Sequence, residues 1–435
     1  MNIKSVFSLL LVLCLAACGG GGGGSSASSG SSSSGSGSSG STTTTVNNVA
    51  SIVVDSGPSD LQDNNLPFVT VTICVPGSTT NCQTIDHIQV DTGSVGLRVI
   101  GSVLNNSMRA GLPIQTDASS RPIGECYQYV DGYVWGSVRK ADFTIAAETS
   151  AAMPIQVIGD DLYGGFAPAP SLCSSGGGTA ENTVSAFGAN GIIGIGFTAT
   201  DCGSACAAGQ TGSSGYPYYA CTGTSSTATC VQTAQGASSS APNQQLPNPV
   251  STFATDNNGS LITLPSVAVT GAASATGSLI FGIGTQSNNA LGSAKVYTIS
   301  SSTGLFTTVY KSSTLPYSYI DSGTSVLAFN DASISQCTGT GWTGYGFYCP
   351  ASTLSLTATN VGTNSASGSV AFNVVNAQGL NYAYAALPAL AVTANAGALS
   401  SNSFAWGLPF FYGRTVFTAI SGASTSGGTG PYFAY

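Results

Sequence analysis

The sequence carries one short pattern twice, and few folds can use it twice. Residues 88–97 read Ile-Gln-Val-Asp-Thr-Gly-Ser-Val-Gly-Leu, and residues 319–327 read Tyr-Ile-Asp-Ser-Gly-Thr-Ser-Val-Leu. Each copy is an apolar, strand-like run that ends on an aspartate, turns on an Asp-x-Gly step and resumes with apolar residues. Farther along, each copy is followed by two apolar residues and a glycine. These are Ile192-Ile193-Gly194 in the first half and Ala405-Trp406-Gly407 in the second. The same ordered pair of motifs in both halves predicts two similar lobes. Gly93 and Gly323 permit tight turns, so the Asp91 and Asp321 carboxylates project from them. The hydroxyls of Thr92, Ser94, Ser322 and Thr324 stand close enough in sequence to orient those carboxylates.

Between the motifs the chain reads as strands. Runs at 66–74, 85–90, 143–145, 278–281, 306–310, 317–320 and 370–375 alternate or cluster β-branched and aromatic residues. Long amphipathic helices are absent from the pattern; short ones are expected near 249–254 and 331–336. This is an all-β reading, with an N-terminal lobe at 46–290 and a C-terminal lobe at 291–435. Residues 198–247 are rich in Gly, Ser, Thr and Ala, hold four Cys, and read as a disulfide-stapled excursion on the surface. Only 6% of residues are charged, so the solvated surface is made of uncharged polar groups and Gly, which suits an acidic medium. The formal net charge is -8 and no Lys/Arg cluster occurs, which argues against nucleic-acid binding.

The N-terminus is a processing signal. Lys4 precedes an apolar run at 6–13 that is too short to span a bilayer, and Leu15-Ala16-Ala17-Cys18 follows. That tetrad resembles the bacterial lipobox. The resemblance implies a signal peptide at 1–17, diacylglycerol on Cys18 and a lipid-anchored place in the bacterial cell envelope. Gly19 after the lipidated residue is compatible with the outer membrane. Residues 18–45 are almost pure Gly, Ser and Thr and form a tether with a span of roughly 30 Å. Beyond the signal the chain has ten cysteines, an even number in an exported chain, which predicts disulfides. Close spacing pairs Cys74 with Cys82, Cys202 with Cys206, Cys221 with Cys230, and Cys337 with Cys349; Cys126 and Cys173 remain for each other. Zinc is disfavoured, because the chain has a single His and no regular Cys-x-x-Cys pairs.

Two carboxylates on facing turns cannot both ionise at short range; they share a proton. The ionised partner can draw a proton from water while the other protonates a carbonyl oxygen, which hydrolyses an amide without metal or cofactor. A Ser-His-Asp triad lacks its serine elbow here, and His87 reads as structural. Nor does a glycosidase need its acids on Asp-x-Gly turns.

In both halves, and in order, the chain resembles the pepsin-like aspartic proteases. Asp91-Thr92-Gly93-Ser94 and Asp321-Ser322-Gly323-Thr324 look like the two catalytic signatures, with the two apolar-apolar-Gly elements beside them. Residues 129–136 resemble the flap hairpin, with Tyr129 at the flap tyrosine; 277–282 and 410–417 resemble strands that close each half. The resemblance implies a bilobal double β-barrel with an active-site cleft between the lobes. It implies Asp91 and Asp321 as catalytic residues, Ser94 and Thr324 on their outer oxygens, Thr92 and Ser322 tying the loops together, and Tyr129 over a bound peptide. Arg98 stands where the family commonly has a tryptophan. The run Gly-Leu-Pro-Phe-Phe-Tyr-Gly-Arg at 407–414 resembles a marker of a branch of bacterial lipoproteins. The implied function is a monomeric aspartic endopeptidase acting on peptides or proteins at acidic pH. The alternative is a surface lipoprotein on the same fold that binds or adheres without cleaving.

Overall fold

The computed structural model describes residues 47–160, 169–175, 178–203, 206, 217–223, 228–235, 244–394 and 399–435. The signal peptide, Cys18, the tether and parts of the 198–247 segment lie outside them. Among the described residues, no helix is long and apolar enough to cross a membrane.

The alternating run after residue 66 forms the strand Pro67–Cys74, which buries Val69, Val71 and Ile73 and exposes Thr70. It pairs antiparallel with Cys82–Asp91, whose last residue is the first motif aspartate. Here the chain does what the repeat predicts. The strand Gly191–Ile195 lies parallel to Cys82–Asp91, with Asp91 beside Gly194. Its other edge takes Val95–Ile100 antiparallel, and that strand in turn pairs parallel with Glu148–Ile158. The second half repeats the order. Ser313–Ile320 runs parallel to Ala405–Trp406, Leu327–Ala328 covers the other edge antiparallel, and Leu327–Ala328 pairs parallel with Ala391–Val392. In both lobes, then, the apolar-apolar-Gly element is threaded between the two arms of the aspartate loop.

That threading needs a residue without a side chain at its end. A Cβ on Gly407 would lie 2.2 Å from the Val326 carbonyl oxygen, and one on Gly194 2.5 Å from the Val95 nitrogen. Both obstacles are backbone and cannot swing aside. Gly407→Ala is expected to cost about 3 kcal/mol through overpacking, read as a lowered melting temperature against a control at the open Gly379.

The two lobes are joined by a sheet built from both ends of the chain. Its strands run in the order Val49–Val54, Ala275–Phe281, Gly259–Thr263, Thr415–Ala419, Tyr432–Ala434 and Val296–Thr298. The lobe boundary expected at 290/291 therefore falls in a loop of this shared sheet. The C-terminal lobe adds a separate seven-stranded sheet packed on Phe329, Phe372, Phe404 and Trp406. The five disulfides pair as the spacing predicts: Cys74–Cys82, Cys126–Cys173, Cys202–Cys206, Cys221–Cys230 and Cys337–Cys349.

Two expectations need correction. Residues 249–252 form only a 3-10 turn, and 331–336 form no helix. Asp331 caps a turn through Ser333, while Gln336 bridges to Tyr348 beside the Cys337–Cys349 disulfide, so the backbone there is committed to a hairpin. The described residues of the 198–247 segment are also not all at the surface, as an excursion there would have them. Tyr218, Tyr219, Ala220 and Leu246 are buried, and the strand Tyr218–Thr222 pairs with Ile123–Gln128 of the expected flap.

Candidate functional site

The two aspartate loops meet at the lobe interface and grip each other. The Ser322 amide donates to Thr92 Oγ1 at 2.9 Å, and the Thr92 amide donates to Ser322 Oγ at 3.1 Å. Ser322 Oγ donates onward to the Val90 carbonyl at 2.8 Å. This crossed pattern fixes the separation of the aspartates, and their carboxyl groups hydrogen-bond each other. Each carboxylate is held in the same way. Asp91 accepts the Gly93 amide at 2.7 Å and the Ser94 hydroxyl; Asp321 accepts the Gly323 amide at 2.8 Å and the Thr324 hydroxyl at 2.7 Å. Gly93 lies directly against the opposite acid, for a Cβ there would meet Asp321 Cγ at 2.7 Å.

Burial decides the ionisation. Asp91 is 0% exposed and Asp321 1%. Burial pushes Asp91 well above the usual carboxylate range, and the Asp321 charge pushes it further. Burial also raises Asp321, against donors from Asp91, Thr324 and the two glycine amides. Two carboxyl groups this close and this buried resist ionising together. Beside it a small cavity opens between Phe197, Gly304, Tyr319 and Phe433.

Tyr129 sits at the tip of the hairpin formed by Ile123–Gln128 and Gly132–Ile145. Its ring is packed among Leu66, Phe68, Ile100 and Phe187, 5.8 Å from the Phe187 ring and 5.1 Å from Tyr127. Its hydroxyl is buried without a hydrogen-bond partner among the described residues. The hairpin is not a free flap. The short strand Thr179–Ala180 pairs with Gly132 and Tyr133 at its tip, and Tyr218–Thr222 extends its other arm. The Cys126–Cys173 disulfide staples it as well.

Two residues that the motifs do not reveal belong to this site. Asn65 crosses from the first lobe to the second. Its Nδ2 donates to Ser325 O at 2.8 Å and to Leu387 O at 2.9 Å, and its Oδ1 accepts from Leu387 N at 2.7 Å and Tyr412 Oη at 2.9 Å. Arg98 is fully buried and pairs with Glu125 and Asp201. The signal for Arg98 was available, since a cation in the apolar strand Val95–Ile100 demands a buried partner; nothing local marks Asn65.

Carboxyl groups meet one another elsewhere too. Asp201 hydrogen-bonds Glu125, and burial followed by the Glu125 charge raises it well above its usual range. Burial and the Asp131 charge push Glu181 up to about 9. Burial and a hydrogen bond with Asp256 push Glu148 up to about 7.

Two threaded aspartate loops, gripping each other and presenting a buried carboxyl pair between two β-lobes, define the pepsin-like all-β double barrel. Residues 44–435 match the family described as "Protein of unknown function (DUF3443)", and the chain belongs to it. Among solved structures the chain is similar to the aspartic proteinase from Irpex lacteus. Identity is 16% and the TM-score 0.47, over 89% of this chain and 96% of the other. No curated protein matches.

Proposed function

We propose that the protein is an aspartic endopeptidase of the bacterial cell envelope, with Asp91 and Asp321 as its catalytic residues. The observation that carries this reading is the buried carboxyl pair, hydrogen-bonded to itself and held on both sides by Ser94, Thr324 and two glycine amides. One carboxyl is protonated and one is ionised. As water attacks the peptide carbonyl carbon, the ionised group takes a proton from it and the protonated group gives one to the carbonyl oxygen. The tetrahedral diol then collapses: the C–N bond breaks, the amine leaves with a proton, and the pair returns to one shared proton. One fixed donor on each of the four oxygens holds the two carboxyl groups in place for that water. Diacylglycerol on Cys18 holds the enzyme on the outer membrane, and the tether at 18–45 sets its reach.

A second reading has one observation in its favour. The pair is almost inaccessible and the hairpin above it is braced on both edges, as suits a surface module that binds without cleaving. Protein lacking residues 1–45 separates the two. It is expected to cleave an unfolded protein near pH 4, to be blocked by a statine-type inhibitor, and to lose at least about 10³-fold in rate in Asp91→Asn. No cleavage between pH 3 and 7 across a peptide library would overturn the proteolytic reading.

A further inference from the structure

We propose that Arg98 is a positioning residue that pins the flap hairpin to the active-site loop, with the cysteine-rich segment as the third leg of the joint. The inference rests on the proteolytic reading for its consequence in catalysis, but the joint itself is geometric. Arg98 lies on Val95–Ile100, the strand that leaves the Asp91 turn. Its guanidinium is 0% exposed and reaches three elements at once. Nη2 donates to Glu125 Oε1 at 2.6 Å and Nε to Glu125 Oε2 at 3.3 Å, on the flap strand Ile123–Gln128. Nη2 also donates to Asp201 Oδ2 at 3.1 Å, in the cysteine-rich segment. Nη1 donates back to the Val95 carbonyl at 2.7 Å. The guanidinium carbon stands 3.8 Å from the Tyr127 ring centroid, and that ring touches Tyr129.

The third leg is itself held. Both Asp201 oxygens accept from the Tyr218 hydroxyl at 2.8 Å, and that hydroxyl accepts the Leu246 amide at 2.7 Å. Tyr218 stands on the strand that pairs with the flap arm, so the segment grips the hairpin by backbone and by side chain. A buried cation needs partners that satisfy its donors with good geometry. Glu125 holds the guanidinium at two nitrogens with both of its oxygens, whereas Asp201 reaches it through a single oxygen. Glu125→Gln takes away the partner that holds Arg98 at two nitrogens, whereas Asp201→Asn keeps the shape and leaves a carbonyl oxygen to accept the single contact.

The contrast between those two variants is the test, read by hydrogen exchange on the chain lacking residues 1–45, without substrate. Glu125→Gln is expected to speed exchange of the amides at 126–132 at least tenfold, with the distant hairpin at 354–374 unchanged. Asp201→Asn is expected to leave both regions as in the unaltered chain. Should Glu125→Gln fail to fold, Tyr127→Leu replaces it: it removes the ring under the guanidinium, keeps an apolar side chain, and carries the same expectation. In active protein the loosening variant raises KM about tenfold with kcat little changed, and the pH profile of kcat set by the aspartate pair stays in place. Equal flap exchange in Glu125→Gln and the unaltered chain, or equal loosening in Asp201→Asn and Glu125→Gln, overturns the pin. A protein that cleaves nothing but loosens as stated keeps the pin and retracts the proteolytic reading.

Discussion

The melting temperature of the chain lacking residues 1–45 is expected to be highest near pH 4 and to fall by on the order of 10 °C by pH 8. Eight of the 17 acidic residues face one another, as Asp91 with Asp321, Glu125 with Asp201, Asp131 with Glu181 and Glu148 with Asp256. In the unfolded chain these groups titrate near 4. In the folded chain Glu148 keeps its proton to about 7 and Glu181 to about 9, and Asp91 and Asp201 are raised well above their usual range. The native state therefore binds more protons than the unfolded state between those limits. Stability is full below about pH 4 and is lost as pH rises, at about 1.4 kcal/mol per pH unit for each extra proton held. The opposite contribution is small. Although burial opposes it, hydrogen bonds from Lys311, Ser333 and Tyr310 hold Asp331 down at about 2, so its share is lost only in stronger acid. Glu148→Gln and Glu181→Gln together should flatten the slope, because an amide keeps the neutral partner without a titrating proton. A melting temperature that is level or rising from pH 5 to 8 would contradict the shared-proton arrangement throughout the molecule.

Asn65→Ala is expected to destabilise the protein by about 3–5 kcal/mol, seen as a melting point several degrees lower. The substitution removes four buried side-chain hydrogen bonds that join the segment before the first long strand to the C-terminal lobe. Their partners lie in the interior, where water cannot replace the lost amide. The backbone adds to the cost. Asn65 sits at φ 57°, a left-handed conformation that Asn tolerates better than Ala. Asn65→Gly separates the two effects, since it loses the same bonds but relieves the backbone, and should recover roughly 1 kcal/mol of the loss. Because Ser325 follows Thr324 on the loop that holds Asp321, the damage reaches the carboxyl pair as well as the lobe interface. A variant as stable as the parent would remove Asn65 from the account of how the lobes are held.

What the sequence disclosed and what it hid divide along sequence distance. The Asp-x-Gly turns were legible because each carries its own donors: Ser94 and Thr324 lie three residues from the acids they serve. The disulfides Cys74–Cys82 and Cys337–Cys349 were legible for the same reason, since each staples a hairpin whose strands are neighbours. Asn65 was not, because its partners stand at 325, 387 and 412 and no local pattern calls for them. Arg98 announced that a partner must exist, yet only the fold brings Glu125 and Asp201 to it. Low complexity hid the burial of Tyr218, Tyr219, Ala220 and Cys221: a stretch rich in Gly, Ser and Thr reads as surface unless something covers it, and here the strand Ile123–Gln128 pairs with it. The pairing of so many carboxyls was invisible too, since each pair is made across separate elements.

The sheet that joins the lobes has a bearing on how the chain is made. Val49–Val54 pairs with Ala275–Phe281, and the partner of Gly259–Thr263 on its far edge is Thr415–Ala419, near the C-terminus. A chain made from its N-terminus presents Gly259–Thr263 long before the strand that covers it arrives. Until then the first lobe carries an open sheet edge, the kind of surface on which exported chains pair with one another. Truncations near residue 290 leave that edge bare permanently, so the first half cannot serve as a minimal unit even though it contains a complete aspartate loop. The arrival of Thr415–Ala419 is the step that turns two half-built barrels into one closed molecule.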